Sequence, residues 1–256
     1  MTVFLYDYTF EGFLTSLFDA YSNKIFPDML LREGSQLPLF YDTKITIATD
    51  ESKAKRVWKA LEKKLSATAL SMVSYCWMSQ EDGVEDYLFR FVRKTIDSPI
   101  SIETNFADGD VLYLSRLFKR VSYESRRMIQ FIRFQKAADG TYFAPIDTQY
   151  NVLPLIVPHF KDRFNDQPWL IYDTHREYGY YYDTNELQQV TFQNPEQLHL
   201  ITGKLKETMM DDDELMFQKL WKTYFKSVCI KERLNPRKQK QDMPVRYWKY
   251  ITEKQR

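Results

Sequence analysis

Apolar residues recur along this chain with two periods, and the changes of period mark out its elements. Val3 to Asp7 is a short β-prone run. Phe13, Leu14, Leu17, Phe18 and Tyr21 then fall at helical spacing behind Thr9, whose hydroxyl can cap a first turn. Lys44 to Thr49 alternates as a strand does, and Asp50 is placed to cap a helix from Glu51 that carries Val57, Trp58, Leu61 and Leu65 on one side. Helical character is predicted to run on to Ser79 and to resume from Val84 to Thr95, which gives residues 1–100 an α/β flavour.

From Asp110 to Ile132 the pattern predicts one long helix with two faces. Leu114, Leu117, Phe118, Val121 and Met128 share an apolar side, while Arg116, Arg120, Tyr123, Arg127 and Gln130 fall together on another. The period then shortens. Phe131 to Gln135 alternates, Ala138 to Thr141 supplies a turn and Tyr142 to Ile146 resumes the alternation, predicting a hairpin near 129–146. Tyr150 to Phe164 is helical again, with Pro154 tolerated near its start and Pro168 stopping it. Trp169 to Asp173 and Tyr178 to Asp183 are predicted to pair across Thr174 to Glu177, with Gln189 to Phe192 as a third strand, a second hairpin unit near 169–192. Asp211 to Val228 is an amphipathic helix with acids at the end where they favour its dipole. The expected fold is α+β, an antiparallel sheet flanked by helices in a single compact domain over 1–256: an α/β-like part (1–100), then helix, sheet and basic C-terminal tail (101–256).

Charge changes that picture locally. The net formal charge is +1, yet Lys231 to Arg256 holds nine Lys and Arg against three Asp and Glu, and Arg116 to Lys136 holds seven against one. Acid gathers instead in Glu81 to Asp86 and Glu207 to Glu214. Two basic segments in a near-neutral chain predict a local positive face; ordinary solvated helix surface is the competing explanation. No apolar run of about 18 residues occurs and the N-terminus lacks a signal-peptide pattern. Cys76 and Cys229 lie far apart and outside any CxxC. These features predict a soluble cytoplasmic protein with no membrane association and no disulfide framework or zinc site.

Candidate chemistry is sparse. There is no HExxH, GxSxG, Walker loop, GxGxxG or spaced metal-ligand set, so no metal is expected. His159 and Arg163, four apart, share a helix face near Asp162 and Asp166, which suits proton transfer beside an anion grip; a structural histidine is the alternative. His175 and His199 stand alone. Tyr178, Tyr180 and Tyr182 share one strand face, which fits either a packed sheet or a platform for bases. The basic segments offer Arg116, Arg120, Arg126, Arg127, Arg133, Arg163 and Arg246 as phosphate contacts, with Trp169, Tyr247 and Trp248 as stacking rings.

Three runs, ESRRMIQFIRFQKAADGTYFAPI, YNVLPLIVPHFKDRFNDQPWLIYDTHREYGYYYD and RLNPRKQKQDMPVRYWKYITE, together with the start FLYDYTFEGFLTSLFDAY, resemble a bacterial family, domain of unknown function 4130. Glu124, Arg127, Met128, Phe131, Arg133 and Phe134 match its first motif. His159, Phe160, Arg163, Phe164, Gln167, Trp169 and Asp173 match the second, and Asn235, Met243, Pro244, Arg246, Tyr247 and Trp248 the third. The resemblance implies a role in DNA metabolism or repair, beside a radical-SAM repair protein or a uracil-DNA glycosylase-like partner. This chain lacks the Cys-x3-Cys-x2-Cys cluster motif and so would be the companion. The family often has a histidine where this chain has Arg126, which leaves His159 as the candidate base.

The leading expectation is therefore an accessory protein that binds DNA through a basic and aromatic surface. The alternatives are a nucleotide- or DNA-processing enzyme (His159 moving a proton, Arg133 and Arg163 holding phosphate, Trp169 stacking a base) and a module that docks a repair enzyme. No cofactor follows from the residues.

Overall fold

The first strand, β1 (Thr2–Tyr6), is buried along nearly its whole length, which only a strand covered on both faces can be. It lies at the centre of a three-stranded sheet in the order β2-β1-β3, with β2 (Met29–Arg32) and β3 (Thr43–Thr46) both parallel to it. Phe4 sits between Leu30 and Ile45 in the register. Parallel neighbours need a crossover, and α1 (Phe10–Asn23) supplies it between β1 and β2. As predicted, Thr9 caps α1, accepting from the Gly12 N–H at 2.9 Å, and Asp50 caps α2 (Glu51–Lys64), accepting from Ser52 and Lys53. Gly12 is required where it stands: a Cβ there would lie 2.3 Å from Asp7 Oδ1 and 2.8 Å from Thr49 Oγ1. Two features went unpredicted. The strand β2 is one. The other is the end of α2 before Ser66, whose hydroxyl caps a separate α3 (Ala67–Trp77) by accepting from Ala69 N–H. Then come α4 (Val84–Asp97) and the long α5 (Gly109–Phe131).

The structure, a computed structural model, describes residues 1–192 and 202–255. The chain divides into two compact units, Met1–Ser122 and Tyr123–Arg256, with the boundary inside α5, where the sequence reading treats it as one domain.

The second unit holds a five-stranded sheet in sequential order: β4 (Gln135–Lys136), β5 (Tyr142–Ile146), β6 (Trp169–Asp173), β7 (Tyr178–Tyr182) and β8 (Leu187–Val190). The fold is α+β, but the all-antiparallel expectation is corrected. The first unit's sheet is parallel, and in the second β5 and β6 are parallel while the other pairs are antiparallel. The reason lies in the connection: α6 (Leu153–Arg163) carries the chain back so that β6 starts at the same end as β5. The predicted hairpin near 129–146 shrinks to the short β4–β5 pair, because α5 runs on to Phe131. The hairpin at 169–192 forms as expected, with Trp169 opposite Tyr182 and Ile171 opposite Tyr180.

After the sheet come α7 (Glu214–Ser227), α8 (Pro236–Asp242) and 3-10 turns at Val245–Tyr250 and Thr252–Lys254. Cys76 is a buried and Cys229 an exposed free thiol. Among the described residues no helix is long and apolar enough to cross a membrane, and no group of three His, Cys, Asp or Glu side chains is placed to hold a metal. His199 lies outside the described residues.

Candidate functional site

On the part of α5 that belongs to the second unit, Glu124 and Met128 point inward, Tyr123, Arg126 and Gln130 face solvent, and Arg127 is half-buried between them. Glu124 is the hub. Its buried carboxylate accepts hydrogen bonds from the backbone N–H groups of Gln149 (3.0 Å) and Tyr150 (2.9 Å), from Arg246 Nη2 (2.8 Å) and from the Tyr247 hydroxyl (2.7 Å). Burial pushes the Tyr247 hydroxyl far up, and the charge of Glu124 adds to it, so this tyrosine stays neutral and donates. Arg246 is charged and half-exposed, with one edge on Glu124 and Tyr247.

A second hub lies on Arg133. Its guanidinium reaches Glu253 twice, Nη2 to Oε1 at 2.8 Å and Nε to Oε2 at 3.3 Å, and also donates to the carbonyls of Gln130 and Ile132. Trp221 Nε1 donates to the same carboxylate at 2.8 Å, and its ring lies 5.6 Å from the guanidinium carbon. Burial works to raise the Glu253 carboxyl, but the bonds from Arg133 and Trp221 and the arginine's charge outweigh it and hold it below the ordinary carboxylate range. A carboxyl depressed in the folded state adds stability above its unfolded value, about 4.3, and that stability is lost as the pH falls through the folded value. Denaturation profiles across pH should therefore show an acid-side loss that Glu253→Gln lacks, with the variant about 1–2 kcal/mol less stable at pH 7.

Arg133 and Arg246 thus anchor the C-terminal segment through carboxylates, and neither is an unengaged phosphate clamp. The stacking expectation is corrected for two rings. Trp169 is 1% exposed and packs on Tyr182 and Phe160, and Tyr247 is 2% exposed, so neither can meet a base. Trp248 is half-buried, its indole N–H held by the Met243 carbonyl. The tyrosine strand divides: Tyr182 is core, while Tyr178 and Tyr180 are half-buried. His159 and Arg163 are exposed on α6, the imidazole edge-on to Phe160 and the guanidinium beside Phe164. Phe134, next to Arg133 in the chain, packs edge-on against Phe160 and Phe164, the neighbours of His159 and Arg163. His175 is exposed in the β6–β7 turn, its backbone N–H donating to Asp173. In the first unit Arg116 is exposed, and Arg120 is ion-paired to Glu81 at 3.0 Å.

What does come together is the basic half of α5 and α8. Asn235 Oδ1 caps α8 by accepting from Lys238 N–H at 3.0 Å, with Pro236 opening the first turn. Arg127 Nη2 donates to the Gln241 carbonyl at 3.1 Å. Gln241 and Arg237 are one turn apart on α8, so this bond sets Arg127 beside the helix that displays Arg237, Lys238 and Lys240, all exposed. Arg126 is exposed too, 5.7 Å over the ring of exposed Tyr123.

The family model "Domain of unknown function (DUF4130)" matches residues 82–253. The chain belongs to the DUF4130 family. No curated protein and no solved structure matches it. Several DUF4130 motif positions now have physical roles. Glu124, Arg246 and Tyr247 form one buried hydrogen-bonded cluster, and Asn235 is a helix cap. Asp173 is fully buried and anchors the β6–β7 turn by accepting from His175 N–H, Arg176 and Thr148. Burial raises its carboxyl even though Arg176 works the other way. Arg237, Lys238 and Lys240 were visible in the sequence as a basic run, but nothing in their spacing singled them out over Arg246 to Trp248. Glu253, which neutralises Arg133, carried no signal at all, being 120 residues away.

Proposed function

We propose that this chain is a nucleic-acid-binding accessory protein of DNA metabolism or repair, and that its binding surface is the patch formed by Tyr123, Arg126 and Arg127 of α5 with Arg237, Lys238 and Lys240 of α8. The observation that carries this reading is the Arg127–Gln241 hydrogen bond, which brings the two basic segments of the sequence side by side. Arg246 adds its exposed edge. The acids nearby are Glu124, buried beneath and already matched by Arg246, and Asp242, matched by Lys238 at 2.8 Å. Cations therefore outnumber carboxylates at the exposed surface, which is what a phosphate backbone selects. Tyr123, 58% exposed beside Arg126, offers one ring to an unpaired base. The family resemblance supplies the DNA-repair context and the radical-SAM or glycosylase companion.

The test is fluorescence anisotropy with labelled single-stranded and duplex oligonucleotides at low salt. The triple variant Arg126→Glu, Arg237→Glu, Lys240→Glu should weaken binding by about 100-fold or more, since each reversal removes a phosphate contact and adds a repulsion of roughly 1 kcal/mol. Reversal at Lys59 and Lys63, exposed in the first unit, should leave affinity unchanged. Equal binding by wild type and triple variant would remove the reading.

A further inference from the structure

A cavity of about 360 Å³ opens between the first turns of α7 and the residues that follow α5. Phe217 and Trp221, one turn apart on α7, line it on one side, and Arg133 and Phe134 line it on the other. Its polar lining is Glu214 and Gln218, also one turn apart. The Glu214 carboxylate is only 8% exposed, yet among the described residues no cation is paired with it. Each oxygen accepts a single neutral N–H, Oε2 from the Lys136 backbone at 3.0 Å and Oε1 from Gln218 Nε2 at 2.8 Å. A carboxylate offers about four acceptor sites, so both oxygens keep capacity. Gln218 turns its amide nitrogen to Glu214, and its carbonyl oxygen accepts from no donor among the described residues. The start of α7 favours the negative charge without filling these sites. A buried carboxylate in an aromatic cavity, beside a second acceptor, calls for a flat ligand with neighbouring N–H donors.

We infer that this cavity takes an unpaired guanine base. Guanine alone among the four DNA bases carries two adjacent donors, the ring N1–H and the exocyclic N2–H₂, on its pairing edge. Adenine and cytosine would set a ring acceptor against the carboxylate, and thymine has one N–H flanked by two carbonyls. A lone ammonium group would meet Glu214 but leave most of the volume unfilled. The rings of Phe217 and Trp221 suit the π-face of a base. The cavity also continues the α5 surface. Arg126 and Gln130 stand one turn apart, and Arg133 lies just past the helix end, bonded to the Gln130 carbonyl. From Arg126 to Arg133 is about 10 Å at helical rise, within reach of roughly three stacked nucleotides. A strand held at the patch can therefore place a base in the cavity.

Calorimetric titration of the full chain with free nucleosides tests the cavity by itself. 2′-Deoxyguanosine should bind at one site with a Kd of about 0.1–1 mM, as befits so small a ligand. Deoxyadenosine, deoxycytidine and thymidine should bind at least tenfold more weakly, because each leaves an acceptor unmet. Glu214→Gln still accepts the Lys136 N–H and should lose the guanine preference. Phe217→Ala removes a wall that is 58% exposed, and should weaken deoxyguanosine about tenfold with an unchanged circular dichroism spectrum. A second measurement joins cavity to patch, by anisotropy with a thymidine strand carrying one central guanine. That guanine should tighten binding about tenfold over thymidine alone, and Glu214→Gln should abolish the gain. The inference rests on the proposed function only for its strand, and the outcomes separate the two. Deoxyguanosine binding without any strand binding upholds the cavity and removes the patch. No nucleoside binding, equal binding of all four, or a guanine preference that survives Glu214→Gln would overturn the inference, whatever the strands do.

Discussion

Replacing Glu124 by alanine should cost the second unit about 3 kcal/mol, read as a fall in the denaturant midpoint of the full chain. The carboxylate is 2% exposed and accepts four hydrogen bonds, two from backbone N–H groups at the start of the segment leading into α6 and two from the third family motif. Alanine leaves all four donors without an acceptor, and the Tyr247 hydroxyl is buried. Because Arg246 is half-exposed and can turn to water, the loss should fall at the lower end of the range for a broken buried pair. Glu124→Gln keeps the shape and two acceptor sites, and should lose roughly half as much. Arg246→Ala should lose still less, since it removes one donor and leaves Glu124 with three.

Trp169→Ala is expected to be the most destabilising single change, at about 4 kcal/mol. The indole fills the space between α6 and β7, against Phe160 at 6.5 Å and Tyr182 at 5.5 Å, and its N–H is held by the Phe164 carbonyl at 3.2 Å. Trp169→Phe keeps most of the volume and should cost about 1–2 kcal/mol. The outcome separates two roles for this ring. If it only packs, Trp169→Phe binds oligonucleotide as the wild type does once both are folded. A loss of affinity in that folded variant would return Trp169 to the list of stacking residues.

Local signals along the chain were legible. Thr9, Asp50 and the apolar spacing behind them were enough to place α1 and α2, because a cap and its helix are encoded within a few residues. The β6–β7 hairpin was equally local. What depended on distant partners was not. The edge strand β2 is only four residues long and has no alternation of its own; pairing with β1 defines it. The direction of β6 relative to β5 was set by the intervening helix, and strand pattern alone does not reveal it. The amphipathic pattern of α7 was visible, but periodicity reports that a helix has an apolar side without saying that this side is covered.

The candidate site shows the same division. Basic residue types were readable, and so was the tail run from Arg237 to Lys240. Which cations are already engaged was not, since Arg133 meets Glu253 and Arg246 meets Glu124 across more than 100 residues of sequence. Long aromatic side chains were misassigned for a related reason. Trp169 and Tyr247 carry polar tips satisfied inside the protein, by the Phe164 carbonyl and Glu124, and such tips resemble exposed ones until their partners are known.

The central claim is that cations of α5 and α8 form a surface for polyanions, and the dependence of affinity on salt tests it most directly. Plotting the logarithm of the oligonucleotide association constant against that of the salt concentration counts the phosphates neutralised. With Arg126, Arg237 and Lys240 unengaged and Arg127, Lys238 and Arg246 partly so, the slope should lie between about −2 and −5, and fall to about −1 or less in the triple charge-reversal variant. A slope near zero for the wild type, or one that the triple variant leaves unchanged, would contradict the account.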